Sequence, residues 1–181
     1  CSSDLKKPFA INIAMISKRA ENKPVRRSGA KVGDCICVTG SLGGSLYRRH
    51  LEFEPRVKEA LKITQIVKLN SMMDLSDGLS SDLNRICTQS GVGAILDAGL
   101  IPMSKDAKKS KNSLNSALND GEDFELVFTL SEKDCNTLLS KWREPLTITC
   151  IGKITRSRKL RIKMANGKIM DLKPGGYEHL K

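Results

Sequence analysis

Two carboxylates sit close together in Met73-Asp74-Leu75-Ser76-Asp77-Gly78-Leu79, and a second acidic stretch follows well downstream in Gly121-Glu122-Asp123-Phe124-Glu125-Leu126. Both stretches set acidic residues beside small ones, as strand-to-helix turns that hold Mg²⁺ and phosphate do. If Ser76 or Asp77 opens a helix, Asp74 and Asp77 both reach a point just outside its N-terminus, where free N–H groups and the helix dipole attract anions. Mg²⁺ takes hard oxygen ligands, commonly one or two carboxylates together with substrate phosphates. The same two aspartates equally suit a pair of solvated helix caps.

The elements around these residues follow from hydrophobic period. Phe9 to Ile16 reads as a strand, and a polar, basic connection over Lys18 to Lys31 leads into a second, Cys35 to Thr39. Gly40-Ser41-Leu42-Gly43-Gly44-Ser45 lacks the lysine and spacing of a P-loop and reads as a tight turn before a short helical candidate, Leu46 to Leu51. Pro55 stands where a helix begins, and Val57, Ala60, Leu61, Thr64 and Val67 keep helical spacing. Asn70 to Leu75 is a strand, and Leu79, Leu83, Ile86 and Cys87 mark a helix stopped near Gly91. Val92 to Asp97 is a strand, and Ile101 to Asp120 is a polar cover with helical character at Leu114 to Leu118. Phe124, Leu126, Phe128 and Leu130 alternate as a strand, Ser131 and Asp134 open a helix reaching Trp142, and Thr147 to Thr155 is a further strand. Leu160 to Met164 and Ile169 to Leu172 flank Asn166-Gly167 as a hairpin. The mixture predicts a mixed sheet covered by helices, in the α/β (α+β) class.

Length and composition bound the rest. A chain of 181 residues buries one sizeable core. The formal charge of +11 is spread along the chain, concentrating in Lys105–Lys111 and Arg156–Lys168, and aromatic content is 4%. Without aromatics among the basic runs there is no stacking platform for single-stranded nucleic acid, so the charge reads as a solvated basic surface and no nucleic-acid partner is expected. The six cysteines lack a C-x-x-C pair, with only His50 and His179 available to complete a zinc site. They read as reduced thiols in a cytoplasmic protein, Cys35 and Cys37 sharing one face of a strand. No apolar run approaches a membrane span. The chain opens on Cys1 and runs almost at once into a strand, so the expectation is a piece of a larger protein.

The order and spacing of Arg27-Ser28-Gly29-Ala30-Lys31-Val32-Gly33-Asp34, Val38-Thr39-Gly40, Glu54-Pro55-Arg56-Val57, the two acidic motifs and Gly176-Tyr177-Glu178-His179 closely resemble thiamine-monophosphate kinase. The resemblance covers nearly the whole chain and corresponds to the C-terminal half of that family, the part shared with aminoimidazole ribonucleotide synthase, selenophosphate synthetase and a hydrogenase maturation protein. It implies ATP-dependent phosphorylation of thiamine monophosphate to thiamine diphosphate, with Mg²⁺, and a fold like the C-terminal domain of aminoimidazole ribonucleotide synthase-related proteins. It further implies that residues 1–22 end an ATP-binding N-terminal domain through which the protein forms a homodimer, that residues 23–181 form the second domain, and that this chain alone is inactive or nearly so. By the same resemblance Asp74 and Asp77 look like Mg²⁺ ligands and Ser76 like an ATP contact through its hydroxyl or adjoining backbone. Arg27 looks like a phosphate clamp, and Glu122 and Tyr177 look like ligands of thiamine monophosphate. Cys1-Ser2-Ser3-Asp4 resembles the family's Gly-Gly-Asp turn with both glycines replaced and one residue of spacing different, and by that resemblance Asp4 looks like a metal ligand and Ser3 and Asp4 like nucleotide contacts. The sequence departs from the family at Asp120, which replaces a glycine and so raises the question of backbone strain, at Phe124, which replaces a tyrosine, and at Leu180, which replaces a phenylalanine. Two alternatives stand beside this reading: another ATP-using member of the superfamily, and a binding module that kept the fold and lost catalysis.

Overall fold

The computed structural model describes residues 23–176 apart from 46 and 48, together with residues 13, 14 and 16. Most of the predicted strand Phe9 to Ile16, and the predicted site residues Ser3, Asp4 and Tyr177, lie outside the described residues; Ile13, Ala14 and Ile16 are not in a strand. Seven strands form one sheet in the order β2-β4-β1-β5-β3-β6-β7: β1 Cys35–Thr39, β2 Ser71–Asp74, β3 Gly93–Asp97, β4 Leu126–Leu130, β5 Ile148–Thr155, β6 Leu160–Lys163 and β7 Ile169–Asp171. All neighbours are antiparallel except β3 and β6, which makes the sheet mixed, as the sequence predicts.

Helices cover both faces. On one, α2 (Leu79–Ser90) and α3 (Ser113–Asn119) bury Leu79, Leu83, Ile86, Ala117 and Leu118 against Ile36, Val38, Val127 and Ile151. On the other, α1 (Val57–Ile66) and α4 (Glu132–Lys141) bury Ile63, Cys135 and Leu138 against Cys35, Cys37, Phe128 and Leu130. Each Leu, Ile, Val and Phe among them contributes on the order of 1.5–3 kcal/mol when taken fully out of water. Because β1 and β4 lie between the two layers, every residue in both is buried. The alternation of Phe124 to Leu130 therefore does not mark a half-exposed strand: Val127 packs on the opposite cluster from Leu126 and Phe128, and Phe124 falls outside β4.

Helix ends follow their sequence signals. Ser131 caps α4 by accepting the Asp134 N–H at 3.1 Å, and Gly91 ends α2 with φ +69°, a left-handed conformation suited to glycine. The hairpin turns at Gly167, with the Met164 N–H donating to the Lys168 carbonyl at 2.9 Å. The polar stretch after Ile101 is more than an edge cover, since Ala107, Ser116, Ala117 and Leu118 are buried. Of the helix predicted over Leu46 to Leu51, the described residues show a single 3-10 turn, Arg49–Leu51. Among the described residues no helix is long and apolar enough to cross a membrane.

Candidate functional site

The two acidic motifs meet at the end of the sheet where β2 and β4 pair. Asp74, the last residue of β2, lies opposite Leu126, the first of β4. The loops beyond them stay side by side: the Leu75 N–H donates to the Glu125 carbonyl at 2.8 Å, the Phe124 N–H to the Leu75 carbonyl at 2.9 Å, and the Glu122 N–H to the Ser76 carbonyl at 2.7 Å. This path requires left-handed backbone at Gly121, Glu122 and Phe124 (φ +73°, +51° and +50°). Such angles in non-glycine residues cost of order 1–3 kcal/mol each and persist only where the surroundings enforce them. A Cβ on Gly121 would stand 2.8 Å from the Ser76 carbonyl oxygen, so both its angle and its neighbour demand glycine.

Asp120 has ordinary helical angles (φ −62°, ψ −34°), so its replacement of the family's glycine strains nothing. Its carboxylate accepts the Gly44 N–H at 2.8 Å and the Ser116 hydroxyl. The buried Asp123 carboxylate accepts the Gly43 N–H at 2.9 Å. The amides of the glycine-rich turn at Gly43 and Gly44 are thus taken by protein carboxylates, and the turn pins the acidic loop instead of cradling phosphate.

Helix α2 starts at Leu79 with Gly78 as its N-cap, so neither Asp74 nor Asp77 acts as the cap. Asp77 forms an ion pair with Arg85 at the middle of α2, and Arg85 also pairs with Asp82. The fully buried Asp82 carboxylate accepts the Ser76 and Asp77 N–H groups, each at 3.0 Å. Burial is the largest influence on Asp82 and raises its pKa above the ordinary 3.8. The Ser76 N–H is thus held by Asp82 and its carbonyl accepts from Glu122, which leaves its hydroxyl as the donor without a partner among the described residues. Gly176, the residue before Tyr177, lies against this turn, its N–H donating to the Ser81 hydroxyl at 3.1 Å.

Asp74 is exposed and Glu122 half-buried, and neither carboxylate has a partner among the described residues. Asp74 opens onto a cavity of about 290 Å³ walled by Phe53, Pro55, Arg56, Ala60, Phe124 and Leu126. Phe53 and Phe124 stack there with centroids 4.1 Å apart. Behind it the buried Glu125 carboxylate receives Arg56 through two bonds, Nε to Oε2 at 2.9 Å and Nη2 to Oε1 at 2.8 Å, and the Thr39 hydroxyl at 2.7 Å. Arg27 does not join this group: its carbonyl accepts from Ser90, the last residue of α2, whereas Asp77 precedes the first.

Sequence reasoning missed Arg85, Arg56 and the Phe53–Phe124 pair. The signal for Arg85 was its three-residue helical spacing from Asp82; Arg56 and Glu125 both sit inside motifs whose individual roles spacing alone does not assign.

A mixed sheet with helices on both faces and paired acidic loops at one end defines an α+β protein built to present carboxylates beside an aromatic cavity. Residues 31–165 match the AIR synthase related protein, C-terminal domain, and the chain belongs to that family. Within it, the chain is 37% identical over 178 residues to the thiamine-monophosphate kinase of Rhodopirellula baltica, covering 95% of this chain and 55% of that protein. It is 35% identical to the thiamine-monophosphate kinase of Buchnera aphidicola from Acyrthosiphon pisum, covering 94% and 60%. Among solved structures it resembles AaThiL complexed with AMPPCP and TMP, with 29% identity and a TM-score of 0.67 over 86% of this chain and 54% of that one. The hydrogenase maturation protein HypE of E. coli shares the fold at 16% identity, with a TM-score of 0.69 over 88% of this chain and 55% of that one. The chain spans little more than half the length of the curated relatives it matches.

Proposed function

We propose that this chain serves an ATP-dependent kinase that converts thiamine monophosphate to thiamine diphosphate. The observation that carries the reading is the backbone pairing of residues 75–76 with 122–125, which brings together Asp74, at an aromatic-walled cavity, and Glu122, both carboxylates without a partner among the described residues. The identity to curated thiamine-monophosphate kinases supports it.

In the reaction an oxygen of the acceptor phosphate forms a bond to the γ-phosphorus of ATP. The bond from that phosphorus to the β–γ bridging oxygen breaks, and ADP leaves with the electron pair. Two anionic reactants must be aligned, so the protein's contribution is placement and charge compensation. Asp74 and Asp77 would hold Mg²⁺, for which their hard oxygens fit: Asp74 has no partner among the described residues, and Asp77 shares its charge with Arg85. Mg²⁺ bound there supplies positive charge to the phosphates. The carboxylates of Asp74, Asp77 and Glu122 do not lie within 4.8 Å of one another. Glu122 would face the cationic rings of the substrate, with Phe53 and Phe124 offering an aromatic face beside the one the family resemblance assigns to Tyr177. Asp82 and Arg85 are positioning residues that fix the turn carrying Ser76 and Asp77.

The test is thiamine diphosphate formation from ATP, Mg²⁺ and thiamine monophosphate by the protein that contains this chain, beside its Asp74→Asn and Glu122→Gln variants. The proposal expects turnover to fall by orders of magnitude in Asp74→Asn and the KM for thiamine monophosphate to rise in Glu122→Gln. Unchanged kinetics in both would overturn it.

A further inference from the structure

Away from the acidic loops, the layer beneath α1 and α4 gathers four of the chain's thiols. Cys35 and Cys37 point to this face from β1, Cys150 lies directly opposite Cys37 on β5, and Cys135 descends from α4. The β1–β5 register shifts between Ile36 and Cys37. The sulfurs of Cys35, Cys135 and Cys150 lie within 4.8 Å of one another, the one such group of potential metal ligands among the described residues. The Cys37 and Cys135 sulfurs are 3.7 Å apart.

We infer that Cys35, Cys37, Cys135 and Cys150 form a tetrahedral thiolate site for one zinc-type divalent cation. With metal–sulfur bonds of about 2.3 Å, a tetrahedral site sets its sulfurs about 3.8 Å apart, close to the Cys37–Cys135 separation; Cys35, Cys135 and Cys150 form the group within 4.8 Å, and Cys37 joins it through Cys135. Four sulfurs from two adjacent strands and a helix make a closed set, the pattern of structural zinc with no position left for water or substrate. Soft thiolates select zinc over Mg²⁺, so the site is chemically insulated from the carboxylates near β2.

Binding of a metal by these thiols releases their protons. Lys153, on the same strand as Cys150, faces Cys35 and Cys150 electrostatically and offsets part of the charge of the filled site. Cys150 is only half-buried and gives the ion its way in, whereas Cys35, Cys37 and Cys135 are buried.

Cobalt(II) reports the geometry. The reduced chain, titrated with Co²⁺, is expected to take up one equivalent with the strong visible bands of tetrahedral thiolate coordination and a sulfur-to-metal charge-transfer band, both lost on adding one equivalent of Zn²⁺. Cys135→Ser and Cys150→Ser should each weaken uptake at least tenfold, while Cys87→Ser, a buried thiol on the other face, should leave it unchanged. Cys150→Ser alters a half-buried side chain and keeps the test decisive if Cys135→Ser fails to fold. Absence of tetrahedral bands in the folded, reduced chain would overturn the proposal. So would an intact mass showing that the native cluster is a disulfide resistant to Zn²⁺.

Discussion

Arg56 grips Glu125 with two parallel hydrogen bonds, joining the first turn before α1 to the residue that enters β4. Glu125 is only 3% exposed, so its carboxylate depends on this guanidinium and on Thr39. Removing one partner of a buried pair leaves an uncompensated charge. Arg56→Ala is expected to destabilise the fold by about 3 kcal/mol, read by chemical denaturation. The double variant Arg56→Met with Glu125→Leu should recover much of that loss, because neither charge then remains.

Asp74 stands at the opposite extreme. It is exposed and has no partner among the described residues, so Asp74→Asn should change stability by less than about 0.5 kcal/mol. A melting temperature equal to the parent's, together with lost turnover, would separate a ligand-binding role from a structural one.

Gly121→Ala should damage both properties. The substitution forces a Cβ to 2.8 Å from the Ser76 carbonyl at a φ of +73°. A loss of about 1–3 kcal/mol is expected, measured by denaturation, and a weakened affinity for substrate should accompany it because the loop carrying Glu122 must shift.

The buried Asp82 sets a pH dependence. Its folded-state pKa is raised by burial, so the folded chain holds this proton more tightly than the unfolded one. Its contribution to stability is present below the ordinary carboxylate pKa and is lost as pH rises through the raised value. Compared with Asp82→Asn, the parent should therefore lose stability more steeply with rising pH across the acid range, as thermal melts at a series of pH values would show.

Thiol reactivity should follow the same chemistry. In metal-free chain at neutral pH, iodoacetamide should modify Cys150 first, since the thiolate is the nucleophile and this thiol is both lowered and half-buried. Cys87, pushed up to about 11 by burial, should react far more slowly. Peptide mass mapping over time gives the order, and Zn²⁺ should slow the modification of Cys150 by at least tenfold.

Periodic and punctuated elements were legible in the sequence because their signals are local. Leu79, Leu83, Ile86 and Cys87 with Gly91 delimit α2, and Asn166-Gly167 fixes the hairpin. The two-sided burial of β4 was not legible, since Thr129 reads as polar until its hydroxyl meets that of Ser71 at 2.8 Å. Of the site, the two acidic motifs could be read. Their pairing through left-handed Glu122 and Phe124 could not, nor could the turn of Asp77 towards Arg85, because both depend on contacts between distant segments. The thiol cluster escaped for the same reason: its members show no ligand spacing along the chain and converge only when β1, β5 and α4 stack.

The placement of β1 at the middle of the sheet also orders events in time. Cys35 pairs with Leu130 on one side and Lys153 on the other, so the strand nearest the start of the described sheet waits for partners from its last third. Closing such long loops before any ladder forms slows folding. A ribosome must deliver most of the chain before β1 can be sheltered, and until then its five consecutive buried residues stay open to a chaperone.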